Sequence, residues 1–425
     1  MVTFLRAYKT EIEPTCKQVE MLLQHAGAAR WAYNWGLRKK IEAYRETGKS
    51  PSAMDLNKEL VLLKNLPVEE GGVPWMYDSS KWAPQEKLRD LDKAYKSFFR
   101  RCKKGDRKKG FPRFKSRKQG IGSFRLYDIS KVTLTHIKLP IIGEVKLKEH
   151  EYFPTKGVRV LSATVSESAG RWFVSIQVEE EQTLYKNKPD HVVGVDVGIK
   201  SLGVTSDGEI FDNPKALTKL QKVLRIRQKA VSRKQKGSQN RRKAVHRLAV
   251  LHARIANIRR DSLHKMTSAI AKSASVVVVE NLNVVGMMKN HRLARSLSDA
   301  ALGEIHRQLK YKMKWNGGSI LVADRKFPSS KRCSKCGHVR KELSLSERIY
   351  HCENPSCGQV IDRDLNAGLN LKFLADGLSV KACCPGSAGH GPSAVTKLLV
   401  GQELKREESG CLTPQLRDQI ALMLK

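Results

Sequence analysis

Val276-Val277-Val278-Val279 contains no polar position and runs directly into Glu280. Four β-branched residues without alternation predict a strand covered on both faces, as in the parallel part of an α/β sheet. "HVVGVDVGIKSLGVTSDGEIF", from His191, predicts a buried strand, a hairpin and a further strand of the same domain. Elsewhere the patterning differs. "VTLTHIKLPIIGEVKLK" and "VRVLSATVSESAGRWFVSIQVE" alternate or cluster β-formers around Gly and Pro turns, which predicts an antiparallel barrel joined by an N-terminal strand from Val2 to Ile12. Between them the spacing is helical. Thr15 and Gln18 fit a capping box, Ser52-x-x-Asp55 fits a second helix start, and Ala29 to Lys40 and Gln85 to Arg101 read as helices. Leu88, Leu91, Ala94, Tyr95 and Phe98 form a stripe suited to a bundle core. From Lys215 to Lys265 two long helices break at Gly237-Ser238 and pack through Leu220, Val223, Leu224, Leu248, Leu251 and Ile255. After Gly377, "CCPGSAGHGPSA" reads as a linker, and the remaining tail carries no motif.

Composition narrows the partners. The chain has 425 residues, 40% of them hydrophobic, enough for two or three domains. Its formal net charge of +37 calls for a polyanion, and nucleic acid fits best. The basic residues are spread through folded segments and no apolar run approaches membrane-spanning length, so no membrane partner is expected. The N-terminal residues lack a signal-peptide core, which predicts a cytoplasmic, nucleoid-associated protein whose nine cysteines are thiols or metal ligands. Two segments concentrate the charge. Residues 100–118 hold eleven Lys or Arg and one acid, with Phe111 and Phe114 interleaved, a combination suited to phosphates and stacked bases. Residues 215–265 hold seventeen Lys or Arg and one acid, Asp261. Candidate nucleic-acid contacts are Arg113, Phe114, Lys115 and Arg117 in the first, and Arg233, Lys234, Arg241, Arg242 and Lys243 in the second.

Cys333-x-x-Cys336 and Cys352-x4-Cys357, with fifteen residues between the pairs, can place four thiolates tetrahedrally around one structural zinc, with Gly337 and Gly358 easing the turns. A closed four-thiolate shell performs no catalysis. Among the acids, Asp196 lies mid-strand among small and β-branched residues, a costly place for an unpaired carboxylate. Glu280 alone reads equally well as the first solvated residue after a strand, and Asp364 alone as an N-cap. Together the three converge in an RNase H-like sheet and helix, where they would hold two Mg²⁺ ions about 3.5–4 Å apart.

Several stretches carry a resemblance to a known family. They are "GVDVGIKSLGV", "VVVVENLNV", "FPSSKRCSKCG", "DRDLNAGLN", "GFPRFKSR", "RQKAVSRKQKGSQNRRKA" and "AARWAYNWGL". Over about residues 1–375 the sequence resembles the TnpB (OrfB) proteins of insertion sequences, relatives of the type V CRISPR effectors. The resemblance implies an RNA-guided DNA endonuclease with Asp196, Glu280 and Asp364 as its catalytic acids, a guide RNA derived from the transposon end, and double-stranded target DNA cut beside a short recognition motif. The implied architecture is an α/β multidomain protein. It comprises a wedge-type β-barrel (1–14 and 105–190), a helical recognition domain (15–104), a RuvC-like nuclease domain (191–328 and 359–376), an inserted zinc ribbon (329–358) and a flexible tail (377–425). Asp364 is preferred to Asp362 because the family pattern is Asp-x-Asn-Ala, here Asp364-Leu365-Asn366-Ala367. Where the family usually has a second alanine this chain has Gly368, expected to weaken the helix by about 1 kcal/mol. A guided DNA-binding repressor that does not cut is the alternative reading, and retention of all three acids speaks against it. An autonomous transposase would need a strand-transfer nucleophile, and none is identifiable.

Overall fold

In the computed structural model, which describes residues 2–106, 108–182, 191–344 and 346–383, two large sheets organise the chain. The first comprises β1 (Val2–Glu13), β2 (Ser123–Leu126), β3 (Lys131–Val132), β4 (His136–Leu139), β5 (Gly143–Leu147), β6 (Val158–Ser168) and β7 (Arg171–Gln182). Its order is β2-β6-β7-β1-β5-β4-β3, and every pairing is antiparallel. Alternate residues point inward: Val174, Ile176 and Val178 of β7 share one core with Phe124, Ile137, Val145 and Val165. The sheet therefore wraps a single core. Among the described residues no ladder joins β2 to β3, so the expected barrel is a seven-stranded sheet with an open seam. Residues 183–190, assigned to that domain from sequence, lie outside the described residues.

Three helices, α1 (Cys16–Thr47), α2 (Ala53–Asn65) and α3 (Trp82–Lys103), lie between β1 and β2 in the chain. Both expected capping boxes form, at Thr15/Gln18 and Ser52/Asp55, and each satisfies otherwise orphaned N–H groups. Leu88, Leu91 and Phe98 of α3 are fully buried. Gly36 lets α1 approach them, since a Cβ there would lie 2.7 Å from the Leu88 side chain.

The second sheet holds β8 (Val192–Asp196), β9 (Ser201–Thr205), β10 (Ile210–Asp212), β11 (Val276–Val279) and β12 (Ser319–Val322), in the order β10-β9-β8-β11-β12. β10, β9 and β8 are antiparallel, whereas β8, β11 and β12 run parallel. A meander extended by two parallel strands is the arrangement of an RNase H-like domain. The other helices of this half are α4 (Ala216–Ser232), α5 (Gln239–Ser273), α6 (Val284–Met287), α7 (Ala294–Ala300), α8 (Leu302–Trp315) and α9 (Arg363–Cys383). Val193, Val195, Val277 and Val279 bury one sheet face against Leu263, Met266, Ile270, Ile305 and Leu309 of α5 and α8. Each such valine contributes about 1.5–3 kcal/mol by burial. The opposite face, through Val278, meets Leu371 and Ala375 of α9.

α4 and α5 form the expected basic helices, packed through Leu220, Leu224, Leu248, Leu251 and Ile255. Val223 is exposed instead, because it faces away from that seam. A small hairpin, β13 (Ile349–His351) with β14 (Val360–Asp362), carries the second cysteine pair into α9. α9 continues to Cys383, past the boundary expected after residue 376, and the tail from residue 384 lies outside the described residues.

Candidate active site and metal knuckle

β8 and β11 are in register, with Gly194 beside Val278 and Val195 beside Val279. Side chains alternate along a strand, so Asp196 and Glu280, the next residue on each, leave the α5/α8 face and turn toward α9. That helix comes close because β8 offers it a glycine: a Cβ on Gly194 would stand 2.0 Å from the Gly368 carbonyl oxygen. From this contact, two residues along β8 span about 6.6 Å and one turn back along α9 about 6 Å. These steps lead to Asp196 and Asp364, which puts the third acid over the first two. The three feel one another. Burial, then the negative charges of Glu280 and Asp364, push the Asp196 carboxyl up to about 8, against the opposing pull of Arg363.

Asp364 does not cap α9. Its backbone N–H donates to Asp362 Oδ1 at 2.9 Å, and that of Leu365 donates to the same oxygen at 3.1 Å, so Asp362 is the cap. The Asp364 side chain remains in the first turn, half-buried, 3.5 Å from Arg363 Nε. Glu280 accepts a hydrogen bond from the Ser329 hydroxyl, and its backbone lies beside the His306 imidazole, where it partly opposes the lowering of that ring's pKa by burial. As a set the three carboxylates are not drawn within 4.8 Å of one another, whereas the four cysteine sulfurs are. A carboxylate cluster serving two ions about 3.5–4 Å apart does not need to contract onto a single centre. Hard oxygen donors suit magnesium, and like charges forced together at a sheet edge fit a cation that would relieve them.

Cys333 and Cys357 have Sγ atoms 3.8 Å apart, and Cys336 and Cys352 3.5 Å apart. Tetrahedral ligands with Zn–S bonds of about 2.3 Å would stand about 3.8 Å from each other, so the thiols fit such an ion. The loop geometry supports them. Gly337 (φ +78°) and Gly358 (φ +54°) adopt left-handed conformations that favour glycine. The Cys333 N–H donates to the His338 carbonyl at 2.8 Å, and the Cys352 N–H to that of Gln359 at 2.9 Å.

The nine basic-segment candidates separate into two groups. Arg113, Phe114 and Arg117 are exposed, Phe114 at 50%, as are Arg233, Lys234, Arg242 and Lys243 around the α4–α5 turn. Lys115 is exposed too but engaged: its Nζ lies 3.8 Å above the Tyr33 ring, and its backbone is gripped by both ends of the Asn34 amide. Arg241 donates to the carbonyls of Val231 (2.6 Å) and Lys234 (3.0 Å), closing the turn. Phe111, expected to stack on bases with Phe114, packs edge-on against Phe98 and Tyr95 instead. Its ring completes the α3 core.

Sequence reasoning missed Ser329, His306 and the buried pair Asn366 and Asn370. The asparagines were detectable, as two amides four residues apart on a helix face that otherwise packs apolar side chains.

Comparisons with known proteins accord with this arrangement. Residues 175–291 match the family model of IS605 OrfB, described as "Probable transposase". Residues 303–371 match a "Cas12f1-like, TNB domain", and residues 1–49, which hold β1 and α1, a "Helix-turn-helix domain". A Streptomyces pristinaespiralis protein named "Putative RNA-guided DNA endonuclease" is 36% identical over 95% of this chain and 98% of its own length. Its namesake InsQ of Escherichia coli (strain K12) is 34% identical over 89% and 94%. The solved Cas12f1–sgRNA–target DNA complex is 15% identical, covering 87% of this chain and 99% of that one, at a TM-score of 0.32, too low to bear on the fold. The identity and coverage of the relatives, spanning both sheets, the acids and the cysteine knuckle, establish that the chain belongs to the TnpB (OrfB) family.

Proposed function

We propose that this protein is an RNA-guided DNA endonuclease that hydrolyses phosphodiesters at Asp196, Glu280 and Asp364. The observation that carries the reading is the register of β8 and β11, two parallel strands ending side by side in carboxylates with a third acid on the helix above. Two Mg²⁺ ions held by these acids would supply an activated water and stabilise the leaving oxygen. The protein's own part is to hold the carboxylates rigidly in one place for the cations. Zn²⁺ is the ion we assign to Cys333, Cys336, Cys352 and Cys357, where it serves a ribbon of residues 329–358 rather than the reaction.

In this reading the first sheet (1–14 and 105–190) is the wedge, the helices of residues 15–104 form the recognition domain, and residues 191–328 and 359–376 are the RuvC-like nuclease. The exposed cations of the 100–118 segment and of the α4–α5 turn neutralise the backbone of a guide RNA and its heteroduplex, while base pairing supplies sequence specificity. The guide comes from the transposon end, and the target is double-stranded DNA beside a short motif. Relatives named as RNA-guided DNA endonucleases, matched along nearly their whole length, support the assignment.

Expressing the gene with its native flanking DNA and sequencing the RNA that co-purifies tests guidance. One dominant structured RNA ending in sequence from beyond the element's edge is expected. A diffuse mixture of cellular RNA would contradict guidance and leave only a non-specific nucleic-acid binder.

A further inference from the structure

The segment between β12 and the cysteine knuckle is held by α9 through side-chain amides. Asn370 Nδ2 donates to the carbonyls of Ser329 (2.8 Å) and Arg332 (2.7 Å). Asn366 Nδ2 donates to the same Arg332 carbonyl at 2.7 Å, and its Oδ1 accepts from the Ser334 N–H at 3.0 Å. Both amides are almost inaccessible, Asn366 at 0% and Asn370 at 2%, so these bonds do not compete with water. One end of the clamped segment is Ser329, itself 4% exposed, whose hydroxyl donates to the Glu280 carboxylate. The other end is Cys333, a knuckle thiol one residue beyond the doubly held Arg332.

The topology gives the clamp its meaning. α9 carries Asp364 in its first turn, Asn366 half a turn later and Asn370 one turn after that. Glu280 belongs to a different element, at the end of β11, and nothing covalent nearby ties it to α9. The chain Asn370–Ser329–Glu280 therefore relates two of the acids across elements. A carboxylate has two equivalent oxygens and rotates freely about its last bond, so a fixed donor on one oxygen selects one orientation.

We propose that Ser329 is a positioning residue for Glu280, held in place by the Asn366/Asn370 clamp, so that α9 sets the geometry of Asp364 directly and of Glu280 through Ser329. This rests on the three-acid reading of the site. Removing a hydrogen-bond partner of a metal-binding carboxylate lowers metal affinity by about 10- to 100-fold. The hydroxyl, not the volume of the side chain, is what matters.

The test uses the full chain with its co-purified RNA and Mn²⁺ as the probe. Bound Mn²⁺ is read by electron paramagnetic resonance, and the Glu280→Gln complex serves as the blank for ions held by RNA. Ser329→Ala is expected to weaken the Glu280-dependent Mn²⁺ binding about tenfold and to raise the half-saturating Mg²⁺ for cleavage by a similar factor. Ser329→Thr, which keeps the hydroxyl, is expected to stay within about threefold of the wild type, a rescue that a packing role would not give. Asn370→Asp, which replaces the donating amide by an acceptor, is expected to resemble Ser329→Ala; measuring all variants well below their Tm separates this from unfolding. Wild-type Mn²⁺ binding retained by Ser329→Ala, or Ser329→Thr as impaired as Ser329→Ala, overturns the positioning role and leaves the three-acid reading intact. A wild-type complex that binds no Mn²⁺ above the Glu280→Gln blank overturns that reading itself.

Discussion

Gly194 and Gly368 meet backbone to backbone: a Cβ on the first would lie 2.0 Å from the carbonyl oxygen of the second. This contact between the central strand and α9 brings Asp364 over Asp196, and it changes what Gly368 means. Helix propensity alone makes Gly368→Ala stabilising by about 1 kcal/mol. In the fold, however, the new methyl would stand 3.1 Å from the Ser206 nitrogen and 3.2 Å from the Thr205 carbonyl carbon, both backbone atoms with little room to yield. Gly368→Ala is therefore expected to leave Tm unchanged or lower it, and Gly194→Ala to cost about 3 kcal/mol or more by overpacking. Thermal denaturation of the two variants checks both; a clear rise for Gly368→Ala would contradict the packing argument.

The acid cluster trades stability for function. Burial, then the negative charges of Glu280 and Asp364, push Asp196 up to about 8, so without a cation folding at neutral pH costs the uptake of a proton. At neutral pH that carboxyl is therefore held largely protonated, and Asp196→Asn keeps the shape of the neutral acid while removing the proton uptake that folding otherwise requires. In metal-free buffer it is expected to raise Tm by about 2–4 °C, the equivalent of roughly 1 kcal/mol in a domain of this size. An unchanged or lower Tm in calorimetry would mean that burial and the neighbouring acids do not raise the Asp196 carboxyl in this way.

His25 gives a pH dependence far from the site. The Ser80 N–H donates to its Nε2 at 3.0 Å and its Nδ1 lies 2.7 Å from the Met21 carbonyl, so the buried ring is neutral with the proton on Nδ1. Burial lowers its pKa below the ordinary 6.5, only partly offset by the Met21 carbonyl. With the folded-state value depressed, the stabilisation is complete above about pH 6.5 and lost as the pH falls through the folded value. The Tm advantage of the wild type over His25→Gln is expected to shrink on going from about pH 7.5 to about pH 5. A difference independent of pH would contradict the assigned tautomer.

Much of this architecture was legible residue by residue, and the misses share a cause. The valine run announced a doubly covered strand because burial on both faces leaves no polar alternation, and the cysteine spacing announced a knuckle because coordination geometry restricts the loops. Asp364 is preferred to Asp362 in the sequence only through the Asp-x-Asn-Ala pattern, since by residue type either can cap a helix; the hydrogen bonds show that Asp362 is the cap. Phe111 and Arg241 looked like nucleic-acid contacts because composition reports what a side chain can bind and says nothing about which partner reaches it first. Phe98 and Tyr95 claim the ring, and the turn carbonyls claim the guanidinium. Ser329 was hidden altogether, because its partner Glu280 lies 49 residues away in the chain.

The same distinction predicts how basic-segment variants divide. Arg113→Ala and Arg117→Ala, at exposed positions, are expected to weaken RNA binding uniformly across sequences and to reduce the salt slope by about 1 each. Arg241→Ala is expected to lower stability by about 1 kcal/mol, because it releases the carbonyls of Val231 and Lys234. Filter binding across a salt series, paired with thermal denaturation, distinguishes the two groups. An Arg241→Ala protein of normal stability and a reduced salt slope would reverse its assignment.

The most direct test of the central claim is plasmid cleavage in Mg²⁺ by the purified complex with its own RNA, comparing the wild type with Asp196→Ala. The wild type is expected to cut only a target matching the guide, and Asp196→Ala to retain the same RNA without cutting. Cleavage by Asp196→Ala, or a matched target left intact by the wild type, would contradict that claim.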